Sequence, residues 1–242
     1  MLRRLLRLAS ARGSTPKGSM QDRSDYKTTW QQLARSADDA KKYVAGTADE
    51  EHFAITGAHT LNLLQKFVGV RPTDVILEVG CGVGRVGKFL APICRQWIGT
   101  DISANMLGFA RQRLQGLENV KLVELSGSAL KEIPSESVDV VYCTVVFMHL
   151  FEWDRYRYVH DAHRVLRPGG RIFYDNVDII SPYGKVIFDY ALSLDPMARP
   201  AFLSMTSTGD ELETYARWAG FTDIQVHRWD DAWVGIAAIK AA

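Results

Sequence analysis

Between Val75 and Arg85 the chain reads Val-Ile-Leu-Glu-Val-Gly-Cys-Gly-Val-Gly-Arg, an apolar stretch that passes into glycine at every second position. Gly80, Gly82 and Gly84 permit positive φ and let a ligand approach where a Cβ would obstruct it, while the helix expected to follow offers unpaired N–H groups. Asp101 stands 21 residues after Gly80, where an acid ending a second strand can accept both hydroxyls of a ribose. Together these suit an adenosine-bearing ligand. Gly82, Gly84 and Gly87 also satisfy the G-x-G-x-x-G spacing of a dinucleotide fold, so spacing alone does not choose between ligands. Glu78, two residues before the first glycine, would be a poor neighbour for a pyrophosphate and a suitable one for a cationic amino or sulfonium group.

Such residues need a rigid scaffold, and the chain supplies the pattern of one. From Pro72 onward short β-branched runs alternate with helical stretches: 75–79, 97–100, 120–125, 138–146, 171–177, 224–227 and 234–239. That alternation predicts an α/β fold, a mostly parallel doubly wound sheet of seven strands. The last two runs are separated only by Arg228 to Trp233, too short for a crossover helix, so they should form an antiparallel hairpin. A hairpin there takes the place of the second nucleotide-binding half that a dinucleotide domain requires. Before the sheet, one helix is expected from Asp25 to Gly46, with Tyr26, Trp30, Leu33, Ala37 and Tyr43 on a shared face, and another from Asp49 to Val68. The expected organisation is a basic, flexible segment at 1–22, a helical cap at 23–70, and one domain at 71–242 carrying an insertion at 178–207. The insertion is rich in aromatics, among them Tyr183, Phe188, Tyr190 and Phe202, and is broken by three prolines; Thr208 to Glu211 then forms a capping box for a helix stopping at Gly220.

The stretch from about Thr73 to Lys240 resembles the class I S-adenosylmethionine-dependent methyltransferase family. Glu78 to Arg85 matches its first motif, and Asp101-Ile102-Ser103 with Met106-Leu107 and Ala110-Arg111 matches the second-strand motif. Val138-Asp139-Val140-Val141 matches the fourth strand, and Arg164 to Gly170 the turn into the fifth. The resemblance implies S-adenosyl-L-methionine as cofactor, the first-motif residues Glu78, Gly80, Cys81, Gly82 and Gly84 against its methionine part, and Asp101 on the ribose with Ile102 and Met106 beside it. Thr144, after the fourth strand, joins this set. After the third strand the family often carries Gly-Asp-Ala near the adenine amino group, whereas this chain has Gly127-Ser128-Ala129; the Ser128 hydroxyl and the Ala129 N–H are the expected contacts.

Methyl transfer is an in-line displacement at an activated carbon, so the protein aligns, desolvates and balances charge, and no metal is called for. A hydroxyl acceptor additionally needs a proton acceptor. His149, just past the fourth strand, is the candidate base, with a loop-tying role as the other reading. Asp175 and Asn176 at the end of the fifth strand, and Tyr43 from the cap, are candidate substrate contacts. Glu152 and Asp154 suit the N-terminus of the next helix. His160, His163, Arg155, Arg157 and Arg164 read as a solvated helix face, not a metal or anion site.

Composition narrows the rest. A chain of 242 residues with 47% hydrophobic residues can bury a full core, and a net charge of +1 creates no field that would gather nucleic acid. No Asn/Asp-Pro-Pro-aromatic motif follows the fourth strand either. Cys81, Cys94 and Cys143 fit neither a disulfide framework nor a zinc pattern, which suits a reducing, cytoplasmic setting. At the start, Leu2, Leu5, Leu6 and Leu8 interleave with Arg3, Arg4, Arg7 and Arg12, a basic amphipathic pattern open to three readings: a targeting peptide, a peripheral membrane contact through residues 1–17, or a tail. The expected activity is methyl transfer to a small-molecule or sugar- or lipid-linked acceptor, at oxygen; a nicotinamide-dependent oxidoreductase or a non-catalytic cofactor-binding protein are the alternatives.

Overall fold

The computed structural model describes residues 23–242, so the amphipathic pattern at 1–17 lies outside the described residues. Three helices come first: α1 (Tyr26–Leu33), α2 (Ala37–Ala45) and α3 (Glu50–Phe67). The α/β unit follows as β1 (Val75–Val79), α4 (Gly87–Leu90), β2 (Gln96–Asp101), α5 (Ala104–Arg113), β3 (Val120–Glu124) and β4 (Val138–Cys143). It continues with α6 (Glu152–Val165), β5 (Leu166–Asp178), α7 (Pro182–Ser193), β6 (Thr206–Ser207), α8 (Gly209–Ala219), β7 (Phe221–Trp229) and β8 (Trp233–Lys240).

The main path across the sheet is β3-β2-β1-β4-β5-β8-β7, seven strands, with the two-residue β6 pairing beside the end of β5. β3, β2, β1, β4 and β5 are parallel, and β8 runs antiparallel to both β5 and β7. The α/β fold with a mostly parallel sheet and a terminal hairpin is therefore the one anticipated.

Side-chain alternation gives the sheet two apolar faces, as a strand buried on both sides must have. Leu77, Val79, Val141 and Tyr174 pack with Tyr158, Val159 and Ala162 of α6 and Leu212 and Ala216 of α8. Ile76, Val140, Tyr142 and Phe173 face Leu64 of α3, Leu90 of α4 and the indole of Trp97. Glu78 shares the Ile76 face, so its carboxyl is buried at the end of the central strand.

The single helix expected over 25–46 is two. Ser36 interrupts it as an N-cap: its Oγ accepts from the Asp39 N–H (3.1 Å) and donates to Asp39 Oδ2 (2.8 Å), while Gly46 at φ 76° ends α2. β5 begins five residues earlier than expected because Pro168-Gly169-Gly170 forms a bulge, shown by the register shift between Val138/Leu166 and Val140/Arg171.

Arg155 corrects the expectation of a solvated face on α6. It is 1% exposed, donating from Nε to the Phe147 and Leu150 carbonyls (both 2.9 Å) and from Nη1 to Ser207 Oγ (2.8 Å) and Glu211 Oε1 (3.0 Å). The turn after β4 leaves carbonyls pointing inward, and a buried guanidinium satisfies them while tying that turn to β6 and α8. His160 and Arg157 on the same helix are exposed, as expected. Arg155→Ala should cost roughly 3–5 kcal/mol in chemical denaturation, since two inward-facing carbonyls lose their donor and Glu211 loses its counter-charge, keeping only the Tyr215 hydroxyl; a loss below 1 kcal/mol would remove Arg155 from this role.

Candidate functional site

Parallel strands leave a crevice outside their carboxyl ends where connections diverge. Here it is a cavity of ≈ 330 Å³ at the ends of β1, β2 and β4, walled also by α1 and α2. The turn after β1 is built to be close-fitting. Gly80 and Gly82 sit at φ 72° and 51°, and a Cβ on them would come within 2.5 Å of Val146 and 2.8 Å of Val44. The Cys81 N–H donates to the Thr100 carbonyl (2.8 Å) and the Gly82 N–H to Asp101 Oδ2 (2.9 Å), so the turn is strapped to the end of β2. Asp101 Oδ1 also accepts from the Ser103 N–H (2.9 Å), which opens α5.

Glu78 lies directly across from Tyr142 in the β1–β4 register. The Tyr142 hydroxyl donates to Glu78 Oε2, and Trp97 Nε1 donates to the Tyr142 oxygen (3.1 Å). Burial is the main cause of the raised pKa values here: Glu78 rises to about 8 and Asp101 to about 6, with Arg85 beside Glu78 partly opposing the first shift. Arg85 is itself buried, donates to Thr60 Oγ1 (3.3 Å), and has an Nε with no partner among the described residues. Thr144 Oγ1 is likewise buried without a partner among the described residues.

At the outer end, Trp30 meets the His149 ring edge-on (centroids 4.8 Å) and Tyr43 meets Phe202 (5.5 Å). His149 Nδ1 lies 3.0 Å from the Phe202 carbonyl, which can only accept, so the proton is on Nδ1 and Nε2 is a bare acceptor. Burial lowers the His149 pKa to about 4. The Tyr26 hydroxyl donates to Asp154 Oδ2 (2.8 Å) and accepts from the Phe151 N–H (3.0 Å), and Ser128 Oγ donates to Asp154 Oδ1 (2.9 Å).

The cavity brings together Glu78, Gly80, Cys81, Gly82, Asp101, Ile102, Met106, Ser128, Thr144, Tyr43 and His149. Four other expected residues are not on its wall. Gly84 packs against Leu114, and the Ala129 N–H is taken by the Gly127 carbonyl (2.9 Å). Asn176 ties β5 to β6, donating to Ser207 Oγ (2.8 Å) and accepting from the Val177 N–H (2.8 Å). Asp175 Oδ1 accepts from the Val145 N–H (2.7 Å), and burial lifts its pKa to about 7. Both are buried at the end of β5, where Asp175 holds the turn that follows β4 and Asn176 holds β6. Val145 is the surprise there: a β-branched residue at φ 62°, costing about 1–2 kcal/mol, held by Asp175. Nothing in the sequence marks Val145 as left-handed. Tyr142 and Arg85 also escaped assignment, because only strand register and helix packing bring them to Glu78. Of the aromatics in 178–207, Tyr183, Phe188 and Tyr190 lie off the cavity wall; α7 instead packs through Ile187 on Met148 and Val177.

Residues 77–174 match the methyltransferase-domain family. Over that span the chain carries a class I S-adenosylmethionine-dependent methyltransferase domain. The uncharacterized methyltransferase YcgJ of Bacillus subtilis is 26% identical over 194 residues, covering 77% of this chain and 73% of that protein. A human thiol S-methyltransferase is 33% identical over 114 residues, 46% of each protein. The chain thus spans about three quarters of the first relative and about half of the second. Among solved structures, YcgJ superposes at TM-score 0.61 with 18% identity, over 76% of this chain and 99% of that one. Haemonchus contortus phosphoethanolamine N-methyltransferase 2, in complex with phosphomonomethylethanolamine and S-adenosylhomocysteine, gives 0.63 with 16% identity, over 86% and 60%. Both share the fold. The nicotinamide reading left open by the glycine spacing falls away for this methyltransferase.

The buried acids set a pH dependence. In the unfolded chain Glu78 and Asp175 lose their protons near 4.5 and 3.8, whereas folded they hold them to about 8 and about 7. Between those limits the folded state binds more protons, so raising pH destabilises it. His149 acts oppositely, but only below its ordinary value of 6.5. The ligand-free methyltransferase should therefore lose on the order of 1–2 kcal/mol between pH 6.5 and 8. Thermal melts at the two pH values check this, and Glu78→Gln should flatten the slope.

Proposed function

We propose that this methyltransferase acts on a small molecule at an oxygen atom, using the cavity beneath α1 and α2. Residues 23–70 are read as a cap over the domain at 71–242, with 178–207 as an insertion. The cofactor, when bound, supplies a methyl group made electrophilic by a positively charged sulfur. Glu78 and the Gly80-Cys81-Gly82 turn would hold the methionine part, where an ionised Glu78 meets a cationic amino group. Asp101 would take the ribose hydroxyls through the oxygen lone pairs left by its two backbone contacts. Ser128 commits its hydroxyl hydrogen to Asp154, so its oxygen is an acceptor for the adenine amino group. The partnerless Thr144 hydroxyl and the close-fitting glycine turn support a ligand in this space.

The acceptor reading rests on one observation: Phe202 fixes the His149 tautomer and leaves Nε2 bare. A hydroxyl becomes strongly acidic as its oxygen takes the methyl group, and a neutral imidazole can then receive the proton. The low pKa keeps His149 neutral through the physiological range while making it a weak base, which suits an acidic hydroxyl better than an alkyl alcohol.

Two measurements test this. Calorimetric titration with S-adenosylhomocysteine should show binding, with Asp101→Ala weakening it by on the order of 1–3 kcal/mol; unchanged affinity in that variant would mean the ribose contact is misassigned. S-adenosylhomocysteine release should then be followed over phenols, sugar-linked hydroxyls, amines and thiols. His149→Gln should lower kcat at least tenfold on the accepted hydroxyl with KM little changed. Turnover of amines or thiols alone, indifferent to His149→Gln, would refute the oxygen assignment.

A further inference from the structure

A second cavity, ≈ 470 Å³, opens at the other end of the sheet, where the parallel strands begin. Its wall includes Arg71, Asp74, Arg95, Asp139, Arg167 and Arg171. Arg71 and Asp74 precede β1, Arg95 precedes β2, Asp139 is in β4, and Arg167 and Arg171 are in β5, so the adjacency β2-β1-β4-β5 assembles residues far apart in sequence. Both acids are already engaged. Asp74 Oδ2 accepts from Arg171 Nη2 (2.6 Å) and the Arg71 N–H (2.7 Å), while Asp139 accepts from Arg167 Nη1 (2.8 Å) and the Val75 N–H (2.7 Å). Four guanidiniums against two carboxylates leave an excess of two positive charges. Neither Arg71 nor Arg95 has an acidic partner among the described residues. Arg171 is only 8% exposed, and its Nε is buried with no partner among the described residues.

A buried guanidinium N–H without an acceptor carries a desolvation cost that native structures seldom leave uncompensated. In a chain whose overall charge is near neutral, this concentration is local, and guanidiniums present their donors in the fork that phosphate oxygens match. We propose that this cavity binds a small molecule through its phosphate groups, with Arg71, Arg95 and Arg171 as donors. The residual charge suits a multiply charged anion, and the space exceeds that of one phosphate. β1 alone spans about 16 Å, so a ligand here does not enter the methyl-transfer cavity.

The test is calorimetric titration of the full-length protein at fixed ionic strength with inorganic pyrophosphate and, separately, with uridine diphosphate. Wild type should bind pyrophosphate, and the double substitution Arg71→Gln, Arg95→Gln should weaken it at least tenfold while S-adenosylhomocysteine binding is unchanged. Tighter binding of uridine diphosphate would add a nucleoside subsite to the phosphate site, and equal binding would assign recognition to the phosphates alone. No binding of either compound, or equal binding by the double variant, would overturn the proposal.

Discussion

A carboxyl group buried at the end of the central strand is the constraint around which this methyltransferase is arranged. Glu78 can be there only because β4 offers the Tyr142 hydroxyl in register, β2 offers the Trp97 indole behind it, and α4 is preceded by the Arg85 charge. Each neighbour lowers the cost of burying an acid, and none removes it, as the raised pKa records. The result is a buried carboxyl that keeps its proton to about pH 8 without a ligand and whose ionised form a cationic ligand would favour, placed next to a turn where glycines leave room for close approach. Stability is given up locally and becomes available to binding.

The elements above the sheet close over this site through polar links as well as packing. Gln31 accepts from Ser103 Oγ (3.0 Å), joining α1 to the start of α5, and Tyr26 with Asp154 joins α1 to the start of α6. On the far side, Arg155 ties the turn carrying His149 to β6, and Phe202 orients the imidazole through its carbonyl. The segment 178–207 therefore acts on the site by holding a backbone oxygen in place, while its ring Phe188 is exposed.

The two ends of the parallel sheet have different electrostatic characters. At the carboxyl ends, Glu78 and Asp101 line a largely desolvated pocket with Asp175 buried behind it, and burial raises the pKa of all three. At the amino ends, arginines predominate around a more open cavity. A net charge of +1 over the whole chain gives no sign of this difference, because the sum carries no information on where the charges lie.

How much of this was legible beforehand follows from the range of the interactions involved. The glycine turn, Asp101, the alternating strands and the terminal hairpin are local patterns, governed by backbone geometry and side-chain period, and residues within a few positions suffice to specify them. The Ser36 cap is equally local, but the aromatic spacing across it continues a helical period and masks it. Other features depend on what lies opposite. Tyr142 reaches Glu78 through strand register, Asp175 turns inward to hold Val145, Arg155 is paired in the interior with Ser207 and Glu211 from far along the chain, and the four arginines of the second cavity meet only when β2, β1, β4 and β5 lie side by side. The sequence by itself determined the scaffold and the glycine turn, because short-range sterics and periodicity encode them. Only the tertiary structure decided which charges are buried together, because desolvation and pairing depend on neighbours that the order of residues along the chain does not specify.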